Sequence, residues 1–181
     1  MADRLPPGTF VVVSGPPASG KTTLAQVIAP ALGLPLIAKD TIKQALMSVL
    51  PVPDIETSRL VGTASVAALL AVAADTAGAV LESVWHRSRA LADLRCLPGD
   101  IVEVFCRCHA QVARQRYALR AGTRDAGHFD AERMTEELWN DEVARPVAGG
   151  WPVIEVSTTA PIDVKSLIVR IRAAVDLAGR T

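Results

Sequence analysis

An octapeptide near the N-terminus constrains this chain more than any other feature. Gly15-Pro16-Pro17-Ala18-Ser19-Gly20-Lys21-Thr22 follows directly on the apolar run Phe10 to Ser14 and leads into Thr23-Leu-Ala-Gln-Val-Ile. It satisfies G-x-x-x-x-G-K-[ST] in full. The continuous β-branched run predicts a strand covered on both faces. The glycines let the backbone curl so that successive N–H groups point inward at an anion. The helix opened by Thr23 adds its unpaired N-terminal N–H groups and its dipole. Lys21 supplies a point charge for β- and γ-phosphates, and the Thr22 hydroxyl is a ligand for Mg²⁺. A corner that merely needs two glycines explains Gly15 and Gly20, but not the Lys-Thr pair at that offset. The expected ligand is a nucleoside triphosphate with Mg²⁺, and residues 15–23 are its expected binding segment.

The rest of the chain alternates short apolar runs with helix-length segments. Strands are predicted at Phe10–Ser14, Leu34–Ala38, Ala79–Ser83, Ile101–Cys108 and Pro152–Val156. Helices are predicted at Gly20–Leu32, Thr41–Leu50, Ser58–Gly78, His86–Leu94, Ala110–Arg120, Ala131–Ala144 and Pro161–Ala178. This alternation means an α/β fold with a parallel sheet covered on both faces, whose ligands gather at the carboxyl ends of the strands. At 181 residues, half of them apolar, one domain spanning 1–181 is expected. Leu60 to Ala74 is uncharged but too short to span a membrane, and reads as a buried helix. Three cysteines and no basic-then-apolar leader point to a reducing cytoplasm, with Cys106 and Cys108 as buried small hydrophobes rather than metal ligands.

Polar residues at the strand ends carry the chemistry. Lys39-Asp40 closes strand two, where a carboxylate can take a proton from an attacking hydroxyl or help hold Mg²⁺; Asp40 also suits an N-cap for a helix from Thr41. Glu82 closes strand three, as a substrate-hydroxyl or water-mediated metal contact, and Trp85 offers an apolar wall. Arg107, Arg114, Arg116, Arg120 and Arg124 form a block without an intervening acid. Arg116, Arg120 and Arg124 share one helix face if the helix continues. The following Ala121 to His128 stretch reads as part of a lid over roughly residues 117–135, able to exclude water and bring arginines over a transferring phosphoryl group, with His128 as a candidate contact to substrate or phosphate. Asp125 to Glu142 carries seven acids against Arg133, so the formal net charge of zero is a sum of opposed blocks. That balance excludes a general nucleic-acid coat but suits one anionic ligand.

In these residues the chain resembles the small P-loop kinases, which include nucleoside-monophosphate, shikimate and gluconate kinases. Within them it is similar to the AAA-type ATPase/kinase branch near chloramphenicol phosphotransferase and the zeta toxins. The resemblance implies a P-loop NTPase three-layer sandwich, sheet order 2-3-1-4-5, with a helical lid. It implies ATP as the nucleotide, Asp40 as general base, Arg116 on the adenine, Arg120 and Arg124 on phosphates, and the loop Ser157 to Ala160, with Thr158, beside the adenine. Where monophosphate kinases carry an acceptor-phosphate arginine, this chain has Glu82 and Trp85, with Arg87 and Arg89 further on. That departure points to a hydroxyl on a small molecule as acceptor, with no nucleic-acid or membrane partner and a monomer or homodimer. The alternative is a regulatory or toxin-like nucleotide-binding protein without a small-molecule acceptor.

Overall fold

β1 (Thr9–Ser14) is buried along its whole length, as its apolar run requires of a strand enclosed by its neighbours. In the computed structural model, which describes residues 5–121, 126–133 and 135–179, β1 is the centre of a five-stranded sheet. It pairs with β3 (Gly78–Glu82) on one side and β4 (Asp100–Arg107) on the other. β2 (Leu36–Ala38) flanks β3, and β5 (Val153–Ser157) flanks β4. Every pairing is parallel and the order is β2-β3-β1-β4-β5, as expected.

Alternation along β1 divides the core into two. Val11 and Val13 pack with Leu24 and Ile28 of α1 (Lys21–Leu32) and with Leu167 and Ile171 of the C-terminal helix (Val164–Ala178). Phe10 and Val12 pack on the other face with Leu69 and Ala73 of α3 (Ile55–Ala74) and Leu94 of α4 (Arg87–Arg95). Helices therefore cover both faces, which makes three layers. Gly78 admits β3 to this core: at φ 128° its Cβ would lie 2.5 Å from the Thr9 carbonyl oxygen, closer than any side chain allows.

Several boundaries differ from expectation for local reasons. α2 (Lys39–Met47) starts at Lys39, so Lys39 and Asp40 occupy its first turn, and Asp40 does not cap it; the N-cap is Ala38, without a side-chain bond. α3 begins before Ser58 because the Asp54 carboxylate accepts from the Thr57 N–H at 2.7 Å. It is also not a buried helix. Only the stripe Ser58, Val61, Ser65, Leu69, Ala73 is buried, while Leu60 and Val72 are largely exposed. α5 (Ala110–Ala121) matches its predicted span closely. The helix expected over Ala131–Ala144 is broken into a 3-10 turn (Asp130–Glu132) and two short helices, α6 (Thr135–Leu138) and α7 (Asp141–Ala144). The break falls at Asn140, whose side chain accepts from the Glu142 N–H and starts a new turn. The C-terminal helix, α8, starts three residues after Pro161, capped by Asp163 on the Ser166 N–H.

One buried acid ties the sheet to the approach of β5. The Glu103 side chain accepts from Ser14 Oγ at 2.6 Å, Val147 N at 2.8 Å, Ala148 N at 2.9 Å and Trp151 Nε1 at 3.1 Å. Glu103 is fully buried, and four donors replace the water it has lost. Glu103→Ala would strand those donors in a dry interior, so unfolding in urea should show a loss of about 3 kcal/mol or more. A loss under about 1 kcal/mol would mean that the donors find other partners.

Candidate active site

The carboxyl ends of β1, β2 and β3 open into a cleft of about 1840 Å³. At its floor lies the loop between β1 and α1. Gly15, at φ 134°, sits so close to β4 that its Cβ would meet the Cys106 carbonyl oxygen at 2.5 Å. Ala18 adopts φ 58°, an uncommon conformation for a residue with a side chain. The loop closes on Lys21, a buried cation whose Nζ donates to the Pro16 carbonyl at 2.7 Å. Burial pushes Lys21 below the ordinary lysine range, against the attraction of Glu82 and Asp40. Ser19 Oγ is buried in the same loop and meets no hydrogen-bond partner among the described residues.

Two carboxylates face this cation. Glu82, 4% exposed, ends β3. Burial pushes it up, opposed by Lys21 and by the nearby Thr22 hydroxyl. Asp40 lines the cleft from the first turn of α2 and pairs with Lys39 at 3.1 Å. Thr22, Thr23, Trp85, Arg116, Arg120 and His128 line the same cleft, so the structure brings together residues from five separate segments. Trp85 is buried in the second core and its Nε1 has no partner among the described residues. Arg116 Nη2 donates to the Thr158 carbonyl at 3.1 Å. Thr158 in turn packs against Gly20. Arg120 lies over the Tyr117 ring at 5.4 Å. Arg124 lies outside the described residues. Arg107 and Arg114 do not join the cleft: Arg107 reaches Glu155 at 3.9 Å and Arg114 lies over the Trp139 ring.

His128 lines the cleft from its far side. It is buried, with Nε2 at 3.3 Å from Gln44 Oε1, inside the 3-10 turn Ala126–His128. Beside it runs a link that sequence reasoning missed. Lys43, almost fully buried, donates to Ser58 Oγ at 2.7 Å, and Ser58 Oγ donates to the Gly127 carbonyl at 2.7 Å. The available signal was its spacing: Lys43 stands three residues after Asp40, on the same helix face. The Tyr117 hydroxyl donates to Asp130 Oδ1 at 3.0 Å and joins the same segment to α5.

These residues fit a nucleotide and its metal. The orphaned Ser19 hydroxyl and the buried Lys21 ammonium lie where phosphate oxygens would restore lost partners. Thr22 and Glu82 are hard oxygen donors of the kind that Mg²⁺ takes alongside phosphate and water.

A parallel sheet in this order, with a glycine-rich loop on its central strand, is the fold of the small P-loop kinases. Among solved structures, a candidate kinase from Chloroflexus aurantiacus is 27% identical, with 94% of this chain and 99% of that chain covered and a TM-score of 0.80. A gluconokinase from Sinorhizobium meliloti 1021 is 22% identical, with 98% and 97% covered and a TM-score of 0.60. The Mycobacterium tuberculosis APS kinase CysC, in complex with AMPPNP and APS, is 18% identical, with 94% and 99% covered and a TM-score of 0.61. No curated protein matches the sequence significantly. The chain itself belongs to the AAA domain family, whose profile matches residues 10–146.

The Glu82 shift sets a pH dependence. Its folded pKa is raised, so the stability linked to its proton is full below the ordinary glutamate value of 4.5 and is lost as pH rises through the raised value. Glu82→Gln, uncharged throughout, should therefore be more stable than the wild type at about pH 8, with the gap closing toward about pH 4. Urea unfolding at both pH values checks this; a gap that grows toward acid contradicts it.

Proposed function

We propose that the protein is an ATP-dependent kinase that phosphorylates a hydroxyl group of a small molecule. The convergence of Lys21, Asp40 and Glu82 in one cleft carries this reading. The cleft exceeds the roughly 300–1,000 Å³ of a site for one drug-sized ligand, which leaves room for an acceptor beside the nucleotide. A nucleotide-binding regulator without an acceptor gives that second half no role.

Bound Mg²⁺–ATP supplies the phosphoryl donor. Residues 15–23 wrap the phosphates, with backbone N–H groups on all but Pro16 and Pro17, and Lys21 leaves the Pro16 carbonyl to reach the terminal phosphate. Thr22 and Glu82 would hold Mg²⁺, which would offset the negative charge of the phosphates. Asp40 takes the proton from the acceptor hydroxyl as the oxygen bonds to the terminal phosphorus and the bridging P–O bond of ATP breaks, leaving ADP. Arg120 and Arg124 stabilise charge on the transferring group. Arg116 and Thr158 border the base. Residues of about 117–135 act as the lid, tied down by Tyr117–Asp130 and by Lys43–Ser58–Gly127.

Asp40→Asn keeps the shape and removes the base. It should leave ATP binding within about threefold, yet lower phosphotransfer by about 10²–10⁴-fold. Lys21→Ala should nearly abolish turnover. Near-full transfer by Asp40→Asn removes that residue from its role. Tight ATP binding with no hydroxyl compound phosphorylated in a broad metabolite screen sinks the kinase reading itself.

A further inference from the structure

Arg120 stands in the last turn of α5, three residues after Tyr117 and on the same helix face. It lines the cleft. Its charge also reaches the glycine-rich loop: Lys21, lowered chiefly by burial, is lowered further by the Arg120 guanidinium. Two cations near each other repel, and a phosphate chain is the ligand that both would share. Holding Arg120 there means fixing a long, rotamer-rich side chain against that repulsion. The Tyr117 ring supplies a hold. The Arg120 guanidinium carbon lies over it, 5.4 Å from the ring centre, within the range of a cation on an aromatic face. Such a face holds a guanidinium without taking up its N–H donors, which stay able to grip phosphate oxygens.

The ring itself is fixed. Tyr117 is buried, and its hydroxyl donates to Asp130 Oδ1 at 3.0 Å. Burial, and Asp130 after it, push that hydroxyl well above the ordinary tyrosine range, so it stays a donor. The ring meets the Trp139 ring edge-on, with centroids 5.3 Å apart and planes at 76°. The Arg114 guanidinium lies over Trp139 in turn, at 5.9 Å. The plate beneath Arg120 thus ties α5 to two later segments, at Asp130 and at Trp139.

We propose that Tyr117 is a positioning residue for phosphoryl transfer: its ring, fixed by Asp130 and Trp139, holds the Arg120 guanidinium at the terminal phosphate of the nucleotide. The proposal rests on the kinase reading for that role of Arg120. Its test is read in nucleotide binding and needs no acceptor.

Mg²⁺–AMPPNP and Mg²⁺–ADP, which differ by the terminal phosphate, are titrated by calorimetry into the full chain. Tyr117→Leu should weaken AMPPNP by about fivefold or more and ADP by less than about twofold. Tyr117→Phe, which keeps the ring, should hold AMPPNP within about twofold of the wild type. Arg120→Gln should show the same selective loss. Tyr117→Leu added to it should cost less than about a further twofold, because one residue acts through the other. A merely structural loosening weakens both nucleotides alike and adds to the Arg120→Gln loss; either result overturns the proposal. So does AMPPNP bound by Tyr117→Leu or by Arg120→Gln as tightly as by the wild type.

A second measurement decides even if Tyr117→Leu does not fold. Tyr117 is the single tyrosine of the sequence, so fluorotyrosine grown into the protein labels this position alone. Its fluorine resonance should move on adding Mg²⁺–AMPPNP, and by less than about half as much with Mg²⁺–ADP or in Arg120→Gln. A resonance that ignores saturating AMPPNP overturns the proposal. Coupled losses without any hydroxyl compound phosphorylated would leave the positioning role standing and count against the kinase reading. Additive losses in an active kinase would do the reverse, and a wild type that binds no nucleotide would sink both.

Discussion

A buried ammonium at the end of the central strand governs the rest of this structure. Lys21 lies where water cannot reach it freely, so burial works against its charge. Glu82 and Asp40 oppose that cost from β3 and α2, and the Pro16 carbonyl gives it a hydrogen bond. The arrangement holds only if the three strands end at one level. The parallel register does this by setting Val13 of β1 opposite Glu82 of β3, and Glu82 opposite Ala38 of β2. The sheet topology and the chemistry of the cleft are thus one constraint seen from two sides.

Two further buried charges hold the cleft walls in place. Glu103 fastens the approach of β5 to the sheet and reaches Ser14, the residue before the glycine-rich loop. Lys43 does the same on the acceptor side, joining α2 to α3 and, through Ser58, to Gly127. Both charges are almost wholly buried, and both are fixed by hydrogen bonds, the condition under which a buried charge is tolerated. The Arg59–Glu137–Arg133 group at the mouth differs in kind: it is partly exposed and joins elements far apart in sequence.

Features carried by local pattern were legible in the sequence. The octapeptide fixed the loop, and the continuous apolar runs fixed the five strands and their parallel sense. The convergence of Asp40, Glu82, Trp85 and Arg120 on one cleft follows from strand ends meeting at one edge. Features that depend on long-range pairing were not legible. Glu103 looked like one acid in an apolar strand; its four donors lie 44 to 89 residues away in the chain. The contact of His128 with Gln44 spans 84 residues. Helix ends moved where a side chain outcompeted periodicity, as Asp54 lengthened α3 and Asn140 divided the segment before β5.

Calorimetric titration of Mg²⁺–ATP into the wild type and into Lys21→Met tests the central claim most directly. The account predicts saturable binding by the wild type and a loss of about tenfold or more in the variant, with the fold retained by circular dichroism. Equal affinity in the two proteins, or no binding by the wild type at millimolar ATP, would contradict it.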